Sequence, residues 1–138
     1  MKVSEYFLKA KEVALSKKDR RNFYLGAIGI RSDGAVVSST NGPAVMMDDD
    51  KGRKKSFPQA HAEYRLARKL DVDAVVFVCR VKRGSKKIGL ARPCEDCQRV
   101  LKAVGVKKVY YTINNREYGV LYLNKKIGLG LIESEHTL

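Results

Sequence analysis

Residues 61–97 read HAEYRLARKLDVDAVVFVCRVKRGSKKIGLARPCEDC. Ala62, Leu66, Ala67 and Leu70 recur at helical spacing, which predicts a helix with a single apolar face. Pro58, tolerated in a first helical turn, marks the expected start of that helix. DAVVFVCRV, residues 73–81, is almost entirely apolar and rich in valine. Such a run predicts a central strand covered on both faces. A basic loop follows at 82–87, and then a second helix beginning at Pro93 or Cys94 and ending at Gly105. VKKVYYTI, residues 106–113, is the next strand. A strand–helix–strand step of this kind makes its two strands parallel neighbours.

Working outward, Tyr6, Phe7, Ala10, Val13 and Ala14 predict an amphipathic helix over residues 3–17. Residues 17–21, KKDRR, form a basic loop, and 22–31 read as a buried strand. The Asp-Gly pair at 33–34 centres a hairpin turn whose return strand is 35–40. No period appears over 41–57, which reads as a long loop. After 106–113, NNREYG turns into a last strand at 118–123, an antiparallel hairpin. Residues 1–123 are expected to form one domain, and 124–138 a tail that is either a short helix or a frayed end. The order is α-β-β-α-β-α-β-β, a mixed sheet with helices on its faces, in the α/β class.

The chain has 138 residues, 44% of them hydrophobic, enough for a proper core. No apolar run approaches a membrane span, and the charged N-terminus is unlike a secretory signal. Three cysteines, an odd number, argue against a disulfide framework and for a reducing, cytoplasmic setting. The net charge of +13 points to anionic partners or to a solvated basic surface.

Against that background, the scarce ligand-type residues are concentrated. One of the two histidines is His61, and two of the three cysteines are Cys94 and Cys97. Imidazole and thiolate together suit Zn²⁺. Each group sits at the expected first turn of a helix, where unpaired N–H groups and the positive helix end favour thiolate. Three protein ligands leave a fourth tetrahedral position for water, which is the pattern of a catalytic zinc site. Glu63, two residues beyond His61, points away from the same metal face on a regular helix. It is placed to move protons for a water or substrate beside the metal.

His-Ala-Glu at 61–63 and Pro-Cys-Glu-Asp-Cys at 93–97 together match the H-x-E…P-C-x-x-C signature of zinc deaminases. On these motifs and the element order over residues 1–123, the chain resembles the cytidine deaminase-like superfamily. The resemblance implies a three-layer α-β-α sandwich with a five-stranded mixed sheet. It also implies that His61, Cys94 and Cys97 bind catalytic zinc and that Glu63 shuttles protons. Asn41, at the end of the second strand, matches a family position that contacts sugar or base, although Asn-Gly-Pro is also plain turn chemistry. The backbone N–H of Ala62 is implied as a donor to the base. The implied reaction is attack of hydroxide on C4 of cytosine, with loss of ammonia and formation of uracil.

The substrate that the resemblance implies is a cytosine-containing nucleoside, nucleotide or single-stranded nucleic acid. Adenosine in RNA, or a non-catalytic zinc-stabilised module that binds nucleic acid, stands as the alternative. Arg53, Lys54 and Lys55, just before the first motif, are candidate phosphate or nucleic-acid contacts. Tyr111 is a candidate base-stacking residue, with strand packing as its other reading. No membrane partner is expected, and a homo-oligomer is left open. Cys79 reads as a core residue, His136 as exposed, and Asp48 to Asp50 as a solvated loop.

Overall fold

In the computed structural model, residues 2–16, 23–48, 50–60, 62–128 and 130–138 are described. The apolar run around Val78 becomes β5 (Val75–Lys82), near the centre of a seven-stranded sheet. On one side it pairs along its whole length with β1 (Phe23–Ile30), antiparallel. On the other it runs parallel to β7 (Lys108–Thr112) through Val78. A two-residue β6 (Ile88–Gly89) then pairs with Arg80 and Val81. Beyond β1 lies β2 (Val36–Thr40), and beyond β7 lie β8 (Glu117–Ile127) and β9 (Gly130–Thr137), so the order is β2-β1-β5-β7-β8-β9.

Alternation along the strands divides the core into two layers. Phe77, Cys79 and Val81 face α1 (Val3–Leu15), packing with Phe7, Ala10 and Ala14. Val76 and Val78 face the other way, among Leu66 and Ala67 of α2 (Ala62–Ala67) and Val100 and Leu101 of α3 (Glu95–Val104). The two layers meet β1 at glycines on opposite faces. A Cβ on Gly26 would collide with the Ala10 carbonyl oxygen, and one on Gly29 with the Leu70 side chain. Without those side chains the helices can lie directly on the strand. The result is the expected three-layer α-β-α sandwich around a mixed sheet.

Four expectations change. The sheet has seven strands, not five, because β6 and β9 are added to the expected set. The tail is not helical: β9 pairs with β8 from Glu117↔Thr137 to Ile127↔Gly130, around a turn in which Gly128 has φ +57°. A bulge between Tyr122 and Lys126 breaks the alternation that would have announced so long a strand. The unperiodic stretch 41–57 and the three residues after it hold two further strands, β3 (Gly42–Asp48) and β4 (Lys54–Ala60), paired as a separate antiparallel ribbon. Pro43 and Pro58 disguised them, yet in a two-stranded ribbon every strand has an outer edge on which a missing N–H is tolerated. Pro58 therefore lies in β4, and α2 starts at Ala62.

Candidate active site at the end of the sheet

β5 and β7 finish, β1 starts and β2 finishes at one end of the sheet. Cys94, Cys97, Glu63 and Asn41 gather there. Ala91 donates its N–H to the Thr112 carbonyl at 2.8 Å, tying the chain before α3 to the end of β7. The Thr112 hydroxyl donates to the Gly89 carbonyl at 2.8 Å and accepts the Arg80 N–H at 3.3 Å. This fixes the approach to Pro93. Cys94 is then the N-cap of α3, with extended backbone, and its Sγ accepts the Cys97 N–H at 3.5 Å. Cys94 and Cys97 thus turn both sulfurs to one point, 3.3 Å apart. The helix ends as expected, on Gly105 with φ +97°.

α2 faces this pair. Ala62 is fully buried, and Glu63 is only 3% exposed. The Tyr64 hydroxyl lies 3.4 Å from Cys94 Sγ. Burial pushes the Cys97 thiol far up from its usual range, and the neighbouring Cys94 and the Glu63 charge push it further. Burial, followed by the contact with Cys94, likewise raises the Tyr64 hydroxyl. Several groups able to carry negative charge are therefore held together, each making ionisation of its neighbours harder. A divalent cation reverses that penalty. Zinc–sulfur bonds of about 2.3 Å in a tetrahedron put two sulfurs about 3.8 Å apart, so the Cys94–Cys97 pair needs only a sub-ångström adjustment. The donor set fits zinc. Among the described residues no three ligand-type side chains form a complete metal group. The third expected ligand, His61, lies outside the described residues, between Ala60 at the end of β4 and Ala62 at the start of α2.

Asn41 directly follows β2 and extends its pairing with β1 by one step. Its N–H donates to the Leu25 carbonyl, and its side-chain Oδ1 accepts the Leu25 N–H, both at 3.4 Å. Arg53 is exposed at the turn of the β3–β4 ribbon, where Lys54 pairs with Asp48 and Lys55 with Met47. Tyr111 is not available as a stacking residue. It is 1% exposed, and its ring covers Gly119, its cross-strand partner. A missing side chain on β8 makes room for that ring, so packing accounts for it. Tyr110 stacks on Phe77 at 4.5 Å in the layer under α1. Cys79 is a core residue as expected, with its thiol pushed up to about 11 by burial. His136 is exposed, within 2.8 Å of the Ser134 hydroxyl. Tyr64 and Thr112 were not read from the sequence, where a tyrosine in an amphipathic helix and a threonine in a strand carry no distinguishing signal.

No family model and no curated protein matches the chain. Solved structures do. The cytidine deaminase of Mycobacterium leprae superimposes with a TM-score of 0.53 at 17% identity, over 82% of this chain and 88% of that one. The chain has the cytidine deaminase-like fold. The cytidine deaminase of Mycobacterium tuberculosis gives 0.51 at 19% identity, over 81% and 85%. A mutant of the latter gives 0.51 at 17%, over 94% of this chain and 97% of that one. At such identities the likeness is one of fold. Within a cytidine deaminase-like fold, the cysteine pair at the start of α3 and the buried glutamate of α2 stand at the same end of the sheet. No helix among the described residues is long and apolar enough to cross a membrane.

Proposed function

We propose that this chain is a zinc-dependent hydrolytic deaminase that converts cytosine to uracil. The observation that carries the proposal is the paired sulfurs of Cys94 and Cys97 at 3.3 Å with the buried Glu63 against them. His61, Cys94 and Cys97 would hold the zinc. When bound, zinc supplies a Lewis acid that brings the pKa of water toward neutrality. Glu63 accepts the proton of the attacking water, delivers it to the ring nitrogen N3 and assists the departing amine, which leaves as ammonia. The Ala62 N–H at the start of α2 and the Asn41 carboxamide position the base and its sugar. Burial of Ala62 and Glu63 excludes bulk water and strengthens each of these contacts.

The β7–β8 step is antiparallel, which favours cytosine over adenine, because the resemblance associates that arrangement with free-nucleoside cytidine deaminases and some toxin deaminases, and a parallel step with adenosine deaminases on tRNA. A non-catalytic zinc module is the weaker reading. It gains nothing from a carboxylate held at 3% exposure, which costs desolvation free energy. Ammonia release from cytidine, deoxycytidine, their monophosphates and single-stranded DNA and RNA tests the proposal. Release from at least one cytosine substrate, with uracil as product, is expected. Release from none of them by zinc-loaded protein would remove the enzymatic reading.

A further inference from the structure

Register along β1 and β5 places an unusual pair just outside the candidate site. Leu25, which bonds Asn41, is opposite Arg80, and Phe23 is opposite Lys82. Positions 23, 25 and 80 share the face of Ala27 and Val78, which is the face of α2 and α3. Phe23 is among the exposed large apolar side chains, 39% accessible, and the Arg80 guanidinium lies 3.9 Å from its ring centroid. The Arg80 backbone is held by Thr112, the same residue that anchors the approach to Cys94.

Beyond this pair the chain is cationic without relief. From Arg80 to Arg92 it holds six cations, Arg80, Lys82, Arg83, Lys86, Lys87 and Arg92, and no acid. Arg92 is engaged by Glu133 at 2.8 Å. The turn that carries the others is well formed. Lys86 donates its N–H to the Lys82 carbonyl and Lys82 donates to the Lys87 carbonyl, both at 2.9 Å. Lys82, Arg83, Lys86 and Lys87 are all exposed.

We infer that Phe23, Arg80 and the 82–87 turn form a subsite for the nucleotides flanking the target base of a single-stranded nucleic acid. The inference rests on the deaminase reading and narrows its substrate. An exposed ring backed by a guanidinium is a stacking platform that accepts any base. The exposed cations beyond it, Lys82, Arg83, Lys86 and Lys87, supply the charge that a phosphate backbone requires. Phe23 lies two residues from Leu25, about 7 Å along the strand, within reach of a nucleotide next to the one in the site. The phosphate of a single nucleotide can reach cations at this distance, but a single nucleotide brings no second base to lie on the Phe23 ring.

Binding is separated from turnover by using labelled oligothymidylate and oligouridylate of about 15 nucleotides, which carry no cytosine amine. Wild type is expected to bind at least one of them with a log–log salt slope steeper than the roughly −0.7 of a single contacted phosphate. Phe23→Ala should weaken binding about tenfold or more with the slope unchanged, since stacking releases no counterions. Phe23→Tyr should retain binding and Phe23→Leu should lose it, which distinguishes stacking from packing. The triple change Arg83→Gln, Lys86→Gln, Lys87→Gln should flatten the slope by about 2. Wild-type binding to both polymers with the slope of one phosphate or less would overturn the inference. So would Phe23→Ala and triple variants that bind like wild type. Ammonia release from deoxycytidylate, measured in parallel, tests the deaminase reading alone. It can succeed while the polymers fail to bind, or fail while they bind.

Discussion

The two faces of the sheet treat the same kinds of residue in opposite ways. Under α1, Phe7, Phe77, Tyr110 and Tyr118 pack ring against ring, and Cys79 is enclosed among Ala10, Ala14, Tyr24, Ile28 and Val81. Under α2 and α3, Cys97 is equally buried but stands against a second thiol, a carboxylate and a phenol. The first arrangement only stabilises. The second concentrates groups that are costly to bury unless a cation and a substrate use them. The two cysteines differ in the company they keep, and depth of burial does not tell them apart.

The largest effect expected from disturbing this contrast is on Glu63. Glu63→Gln should reduce turnover by about 10²–10⁴-fold or more while keeping fold and zinc. Stability should hold or rise, because a buried charge is removed. Turnover and metal content on the same preparation check this, and zinc loss would make Glu63 a ligand. Next come the two cysteines. Cys97→Ser should abolish zinc binding and the stability coupled to it. Cys79→Ser should keep zinc and lose only about 1–3 kcal/mol for the buried hydroxyl. Thermal melts with and without chelator measure both. A chelator-insensitive wild type would erase the difference between the faces.

Tyr64→Phe is a finer probe. It removes the hydroxyl 3.4 Å from Cys94 Sγ without changing the packing. Loss of such an outer contact costs roughly tenfold or more in metal affinity. Competition with a zinc chelator reads this directly, and unchanged affinity would leave Tyr64 a core residue only. The smallest effect is alkaline. Burial, and then the Glu133 charge, pushes the Tyr111 hydroxyl up to about 12. Its ionised form is disfavoured by the fold, so stability is intact below about pH 10 and falls as pH rises toward 12. Tyr111→Phe, which keeps the ring over Gly119, should flatten that decline in alkaline melts.

The sequence made some of this legible and hid the rest for identifiable reasons. The apolar run of β5 and the frame of α3, from Cys94 to Gly105, were plain because burial on both faces and helix capping leave marks at fixed positions. The β3–β4 ribbon was hidden by Pro43 and Pro58, and β9 by the glycines and lysines of its turn. The paired cysteines and the buried glutamate could be named because few residue types perform that chemistry. Tyr111 was left between stacking and packing because a strand tyrosine looks the same whether it meets a base or a cross-strand glycine. The Phe23–Arg80 pair depends on residues 57 positions apart, a proximity that only the register of β1 on β5 creates.

The central claim is that Cys94 and Cys97 share a metal with a third ligand, His61. Elemental analysis of freshly purified protein, combined with thiol titration before and after chelation, tests it most directly. The account predicts about one zinc per chain. It also predicts two thiols that become reactive only after chelation, while Cys79 stays unreactive until the protein unfolds. Protein without zinc, or with Cys94 and Cys97 reacting at once in the untreated chain, would contradict it.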